Sequence, residues 1–125
     1  MKLADTCVWI EALAGTPTGA QYKSLLRSPQ QLLVSTLVIF ELRKWTMRTL
    51  GESAADQVMV LLLDTTVVAP DAAISMHAAE LATAHRLHAI DALIYATALS
   101  QQATLVTCDA HFKDLPQVEY SAKRT

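Results

Sequence analysis

The stretch 88–112, HAIDALIYATALSQQATLVTCDAHF, narrows the choice of fold more than any other part of the chain. It begins with helical spacing and ends with strand chemistry. Ile90, Leu93, Ile94 and Leu99 recur at helical intervals, with Ala and Thr in the tight positions between them. Gln101 and Gln102 close that segment. TLVTC then runs β-branched and apolar, as a strand covered on both faces does. One aspartate stands at each end of the unit: Asp91 in the first helical turn, Asp109 just past the carboxyl end of the strand. Ligands of open α/β sheets lie outside the carboxyl ends of the strands. The question is therefore which other carboxylates reach that edge.

The rest of the chain repeats the alternation. KLAD at 2–5 reads as a short strand ended by Asp5, with Thr6 placed to cap the helix CVWIEALAG. Gly15 and Pro17 break that helix, and a second amphipathic helix follows over about 18–27. LLVS at 32–35 is the second strand, and a long helix runs from about 36 to 50, stopped by Gly51. ESAADQVMVLLLD is a further helix, TTVVA a third strand ended by Pro70, and 71–87 a helix with Ile74, Ala78, Leu81 and Ala82 on one face. After the 88–109 unit, VEY reads as a weak edge strand and SAKRT as a polar, mobile tail. Strands alternating with helices predict one α/β domain over 1–125, a central parallel sheet between helical layers.

Composition excludes several classes. The hydrophobic fraction, 52%, is high for a small domain, yet the longest aliphatic run, VMVLLL, stops at Asp64, far short of the roughly 20 apolar residues of a membrane span. MKLADT is too short and too soon polar for a signal peptide, so a cytoplasmic chain is expected. Cys7 and Cys108 alone make no disulfide framework and are expected reduced. The apolar excess points to a doubly covered sheet, an oligomer interface or both. Trp9, Phe40, Trp45, Met47 and Met59 are the candidate interface residues of a homodimer.

Four acids stand out by position. Asp5 and Asp109 each follow an apolar strand. Glu41 has Leu37, Val38, Lys44 and Trp45 as its one-turn neighbours, and Asp91 has Leu87, His88, Ile94 and Tyr95, so both face partly inward. Each has a purely structural explanation: an Asp after a strand caps a helix or turn, and an acid suits a helix N-terminus. Together, without basic residues placed to neutralise all four, they suit a hard divalent cation.

The opening K-L-A-D-T, the run S-T-L-V-I-F-E-L, the run H-A-I-D-A-L-I-Y-A-T-A-L and the closing L-V-T-C-D-A-H-F resemble, in order and spacing, the PIN-domain proteins of the VapC toxin type. The resemblance covers nearly the whole chain. It implies an α/β/α fold, an Mg²⁺- or Mn²⁺-dependent ribonuclease and a cognate antitoxin partner. Asp5, Glu41, Asp91 and Asp109 fall on the family's acidic quartet, and Thr6 and Thr107 on its supporting hydroxyls. Cys7 departs from the pattern, standing where Ser or Asn is usual. On this reading Asp5, Asp91 and Asp109 hold metal, while Glu41 completes the shell or orients the attacking water. With the four acids set aside, the ten basic residues outnumber the remaining acids. Arg43, Lys44 and Arg48 form a basic cluster suited to an RNA backbone or, equally, to a solvated helix face.

Other readings compete. Cys7, Cys108, His88 and His111 suggest a Zn²⁺ site, although no C-x-x-C or H-E-x-x-H spacing supports it. A receiver-like signalling domain also gathers acids at strand ends. It needs an acid pair after the first strand and a lysine after the last, and TLVTC is followed by no lysine before Lys113. A protein-binding domain without catalysis is the remaining alternative.

Overall fold

The computed structural model describes residues 1–124. Five strands, β1 (Lys2–Ala4), β2 (Leu32–Ser35), β3 (Thr66–Val68), β4 (Thr104–Thr107) and β5 (Val118–Tyr120), form one sheet in the order β3-β2-β1-β4-β5. Every neighbouring pair is parallel. Leu3 of β1 lies opposite Leu33 of β2 and Leu105 of β4, so the central register stacks leucines across three strands. All three are at most 4% exposed, the signature of a sheet covered on both faces. The expected α/β architecture with a parallel sheet between helices is the one observed.

The helices are α1 (Thr6–Ala14), α2 (Pro17–Ala20), α3 (Lys23–Leu26), α4 (Thr36–Leu50), α5 (Glu52–Leu63), α6 (Ala72–His85) and α7 (Ala89–Ser100). Their ends follow local chemistry. The Ser35 hydroxyl accepts from the Leu37 N–H at 3.2 Å and starts α4; Gly51, at φ 95°, ends it. The Asp71 carboxylate caps α6 at the Ile74 N–H, 2.9 Å. Val38, Leu42 and Thr46 form the buried stripe of α4 at four-residue spacing. Under the α7–β4 unit, Tyr95 and Phe112 meet edge to face at 5.8 Å, and the Tyr95 hydroxyl donates to the Pro116 carbonyl at 2.7 Å. No helix among the described residues is long and apolar enough to cross a membrane.

Three expectations need correction. The second helix is two short pieces, α2 and α3. Gly19 sits against the Glu11 carbonyl of α1, and this close approach turns the chain before a continuous helix can form. Thr6 does not cap the first helix; the Asp5 side chain does, accepting from the Thr6 N–H. The polar tail is tied down: the Ser121 N–H donates to the Thr107 carbonyl at 3.0 Å and the Arg124 N–H to the Thr18 hydroxyl at 2.7 Å. Thr125 lies outside the described residues.

Glycine to alanine in a helix ordinarily stabilises. At Gly19 the added Cβ falls on the backbone of Glu11, so the sign reverses. Gly19→Ala is expected to lower unfolding free energy by about 1–3 kcal/mol, as overpacking does. Urea denaturation reads it as a lower midpoint at unchanged slope.

Candidate metal-binding carboxylate site

The strand order reverses direction between β1 and β4, the kind of switch point at which open α/β sheets form a ligand crevice outside the carboxyl ends of their strands. Asp5 leaves β1 there and Asp109 follows β4 there. The order β3-β2-β1-β4-β5 also differs from the 2-1-3-4-5 order of receiver-like folds, which removes that alternative.

Asp5 is 4% exposed and uses both carboxylate oxygens. Oδ1 accepts from the Thr6 N–H at 2.8 Å, so Asp5 itself, not Thr6, caps α1. Oδ2 accepts from the Thr107 hydroxyl at 2.8 Å and from the Cys7 thiol at 3.6 Å. Burial, before all else, pushes its carboxyl well above the ordinary value; Cys7 and Asp91 add to the rise, and the bonds from Thr107 and Thr6 oppose it. Thr107 does double service, since its oxygen also accepts the Asp109 N–H at 3.0 Å.

The Thr6 hydroxyl, released from capping, donates to Glu41 Oε1 at 2.7 Å. That bond holds the half-buried Glu41 of α4 over the start of α1. Asp91 sits in the first turn of α7, where the helix dipole favours an acid. Even so its carboxyl is raised: by partial burial first, then by Asp109 and by Glu41, with His88 and His111 pulling partly back. Asp91 is thus within electrostatic reach of Asp5, Glu41 and Asp109.

Asp109 caps a short 3₁₀ turn at 110–112. Its Oδ1 accepts from the His111 N–H at 2.9 Å and lies 2.7 Å from His111 Nδ1. This Asp–His contact was missed in the sequence, where His111 entered only as a zinc candidate; the D-x-H spacing after a strand, an Asx turn, was its one signal. His88 lies beside His111, ring centroids 6.2 Å apart, while Cys7 lies with Cys108, whose N–H donates to Cys7 Sγ at 3.4 Å. Among the described residues no three His, Cys, Asp or Glu side chains form a ready ion cage, and the mixed Cys/His zinc site gains nothing from the geometry. The donor set itself is carboxylate and hydroxyl, chemistry that fits Mg²⁺ or Mn²⁺ with water completing the shell.

Beside Glu41 runs a cleft of about 370 Å³ lined by Thr6, Ile10, Phe40, Glu41, Lys44, Trp45, Arg48 and Ile90. The basic cluster therefore divides. Arg43 is paired with Asp56 at 3.0 Å, and only Lys44 and Arg48 border the cleft.

The comparisons with known proteins agree with this fold. The PIN domain matches residues 2–118, and the chain belongs to the PIN-domain family. A search of curated proteins finds no match. Among solved structures, a toxin–antitoxin complex from Klebsiella pneumoniae aligns with a TM-score of 0.82 at 21% identity, covering 95% of this chain and 96% of that one. VapBC2 from Rickettsia felis, bound to a promoter DNA fragment, aligns at 0.74 and 19%, covering 98% of each chain. Mycobacterium tuberculosis VapC20, a sarcin–ricin loop cleaving toxin, aligns at 0.70 and 22%, covering 83% and 85%. At these identities the likeness is one of fold.

Asp91→Asn removes one of the mutually repelling charges with little change of shape. In EDTA at neutral pH the variant is expected to melt at or above wild type. The difference shrinks on acidification: a raised carboxyl destabilises the fold above its folded pKa, and this effect fades through that pKa and is gone below the ordinary value of 3.8. Thermal melts across pH check it, and a variant markedly less stable than wild type would make Asp91 a structural residue.

Proposed function

We propose that this protein is an endoribonuclease toxin of the VapC type, one PIN-like domain over 1–125, dependent on Mg²⁺ or Mn²⁺ and restrained by a cognate antitoxin in the cytoplasm. The observation that carries the reading is electrostatic. Asp5 and Asp91 are held where burial, first of all, raises both carboxyls and neighbouring acids add to it, and neither is paired with a lysine or arginine among the described residues. A divalent cation is the partner that such a cluster lacks. The family membership and the fold of VapBC-type chains support the same reading.

Asp5, Asp91 and Asp109 would hold the ion. When bound, it supplies an activated water and charge stabilisation at the scissile phosphate. Glu41, steadied by the Thr6 hydroxyl, accepts a proton or hydrogen bond from the attacking water. Thr107 fixes the Asp5 carboxylate and the Asp109 backbone together. Lys44 and Arg48, bordering the cleft beside Glu41, contact the RNA backbone, and exposed Phe40 offers a face on which a base stacks.

Asp5→Asn and Asp91→Asn are each expected to reduce Mg²⁺- or Mn²⁺-dependent RNA cleavage by about a hundredfold or more, since even outer-shell changes cost 10–100-fold. Circular dichroism should show the fold retained, and EDTA should abolish wild-type cleavage. Near wild-type cleavage by either variant would overturn the site.

Two surfaces suit the partners. Met47 and Leu50 on α4 and Val60 and Leu63 on α5 are exposed apolar side chains on adjacent helices, a surface fit for a homodimer. Of the residues expected there from sequence, Trp9 is instead core at 3% exposure, and Trp45 and Met59 are partly buried against it. A groove of about 520 Å³ between α1, α3 and α5, lined by Trp9, Leu13, Leu26 and Leu61 with Lys23 and Arg27 on its rim, suits an antitoxin segment. Val60→Glu is expected to shift light scattering from dimer to monomer at micromolar concentration; a wild-type monomer throughout a concentration series would dispose of the dimer.

A further inference from the structure

We propose that Cys7 and Cys108 are an oxidation site, closing as an intramolecular disulfide that disables the carboxylate crevice. Cys7 lies in the first turn of α1 and Cys108 immediately after β4, so the pair faces across the switch point. The Cys108 N–H donates to Cys7 Sγ at 3.4 Å, which leaves the Cys7 sulfur about one side chain from the Cys108 backbone. The two side chains also hydrogen-bond each other, so the sulfurs already meet, as a disulfide requires. Cys7 packs partly buried against the core and touches Asp5 and Thr107, Cys108 is buried, and neither is in a disulfide.

The oxidant class is a small-molecule disulfide. Cys7 is the accessible sulfur, half-buried while Cys108 is 4% exposed; its contact with Cys108 and burial push its thiol up, so the exchange is slow at neutral pH. Cys7 sulfur attacks one sulfur of the oxidant, whose S–S bond breaks and releases one small thiol. Cys108 sulfur then attacks the Cys7 sulfur of the mixed disulfide and displaces the second small thiol. Both protein sulfurs are oxidised, the oxidant is reduced to two thiols, and the two protein thiol protons leave on those thiols.

The consequence follows from what Cys7 touches. Its sulfur is 3.6 Å from Asp5 Oδ2 and 3.4 Å from the Thr107 hydroxyl. Closing the bond draws that sulfur toward Cys108 and removes its proton, so Asp5 loses one donor. The same pull acts on the segment that carries Asp109, whose N–H is held by Thr107. The crevice is then fixed in a displaced arrangement. This effect rests on the nuclease reading; the bond itself does not.

The test uses the full chain, fully reduced, then treated with bis(2-hydroxyethyl) disulfide. The expected product is two hydrogens lighter by intact mass, carries no adduct and titrates no free thiol. Its Mn²⁺-dependent RNA cleavage falls roughly tenfold or more and returns with dithiothreitol. Cys108→Ala under the same treatment gains the mass of one adduct at Cys7 instead of losing hydrogens. A wild-type chain that keeps both thiols, or that stops at the mixed adduct, overturns the proposal. So does a closed disulfide that leaves cleavage unchanged. Mass and thiol titration involve no RNA, so a reduced protein that cleaves nothing overturns the nuclease reading and leaves the disulfide to be judged on mass.

Discussion

The Thr107 hydroxyl joins the two halves of the sheet at the point where function is expected. It donates to Asp5 Oδ2 at 2.8 Å and accepts the Asp109 N–H at 3.0 Å, linking the end of β1 to the end of β4. Without it Asp5 Oδ2 keeps only the weak Cys7 thiol as donor, and the Asp109 N–H loses its acceptor. An ionised carboxylate as enclosed as Asp5 survives only with several donors. It has the Thr6 N–H, the Thr107 hydroxyl and the Cys7 thiol. Charge-assisted hydrogen bonds of this kind are worth about 1.5–3 kcal/mol. They lessen the desolvation of Asp5 without cancelling it, which is why its carboxyl stays raised.

The surface ion pairs with lysine and arginine do not organise this arrangement. Lys2–Glu119 and Arg43–Asp56 lie on the surface, where such pairs contribute about 0–1 kcal/mol. The fold is carried by burial: Leu3, Leu105, Ile94 and Phe112 are fully enclosed, each worth about 1.5–3 kcal/mol by transfer. The apolar core can therefore hold the acids in place although they repel one another. Local charge conflict at one edge of a well-packed sheet marks a candidate functional site.

The sequence spelled out the sheet and the longer helices because each carried its own punctuation. LLVS and α4 end and begin between Ser35 and Thr36 as the cap chemistry demands, and VEY is the edge strand expected of it. The break between α2 and α3 was hidden because it depends on Gly19 meeting Glu11, a tertiary contact with no local signal. The docking of 121–124 was hidden for the same reason: Thr18 and Gln21, which receive Arg124, lie more than a hundred residues away in sequence. At the site, residue identity was legible and connectivity was not. Nothing in K-L-A-D-T says that Asp5 takes the cap and frees Thr6 for Glu41, yet that exchange sets the position of both acids.

Capping and ligand binding are not rival roles for these aspartates. A cap needs an acceptor at the start of a helix, and each carboxylate oxygen has more than one lone-pair direction. At Asp109, Oδ1 receives both the His111 N–H and its ring nitrogen, and Oδ2 remains for another partner. At Asp5, the cap takes Oδ1 and the hydroxyl of the neighbouring strand orients Oδ2. The cap fixes the side-chain rotamer without using up the carboxylate, so the backbone pays little further ordering entropy when an ion arrives. A sheet whose strands end in capping aspartates at its switch point thus places preorganised carboxylates at the one edge where an α/β fold presents its ligands.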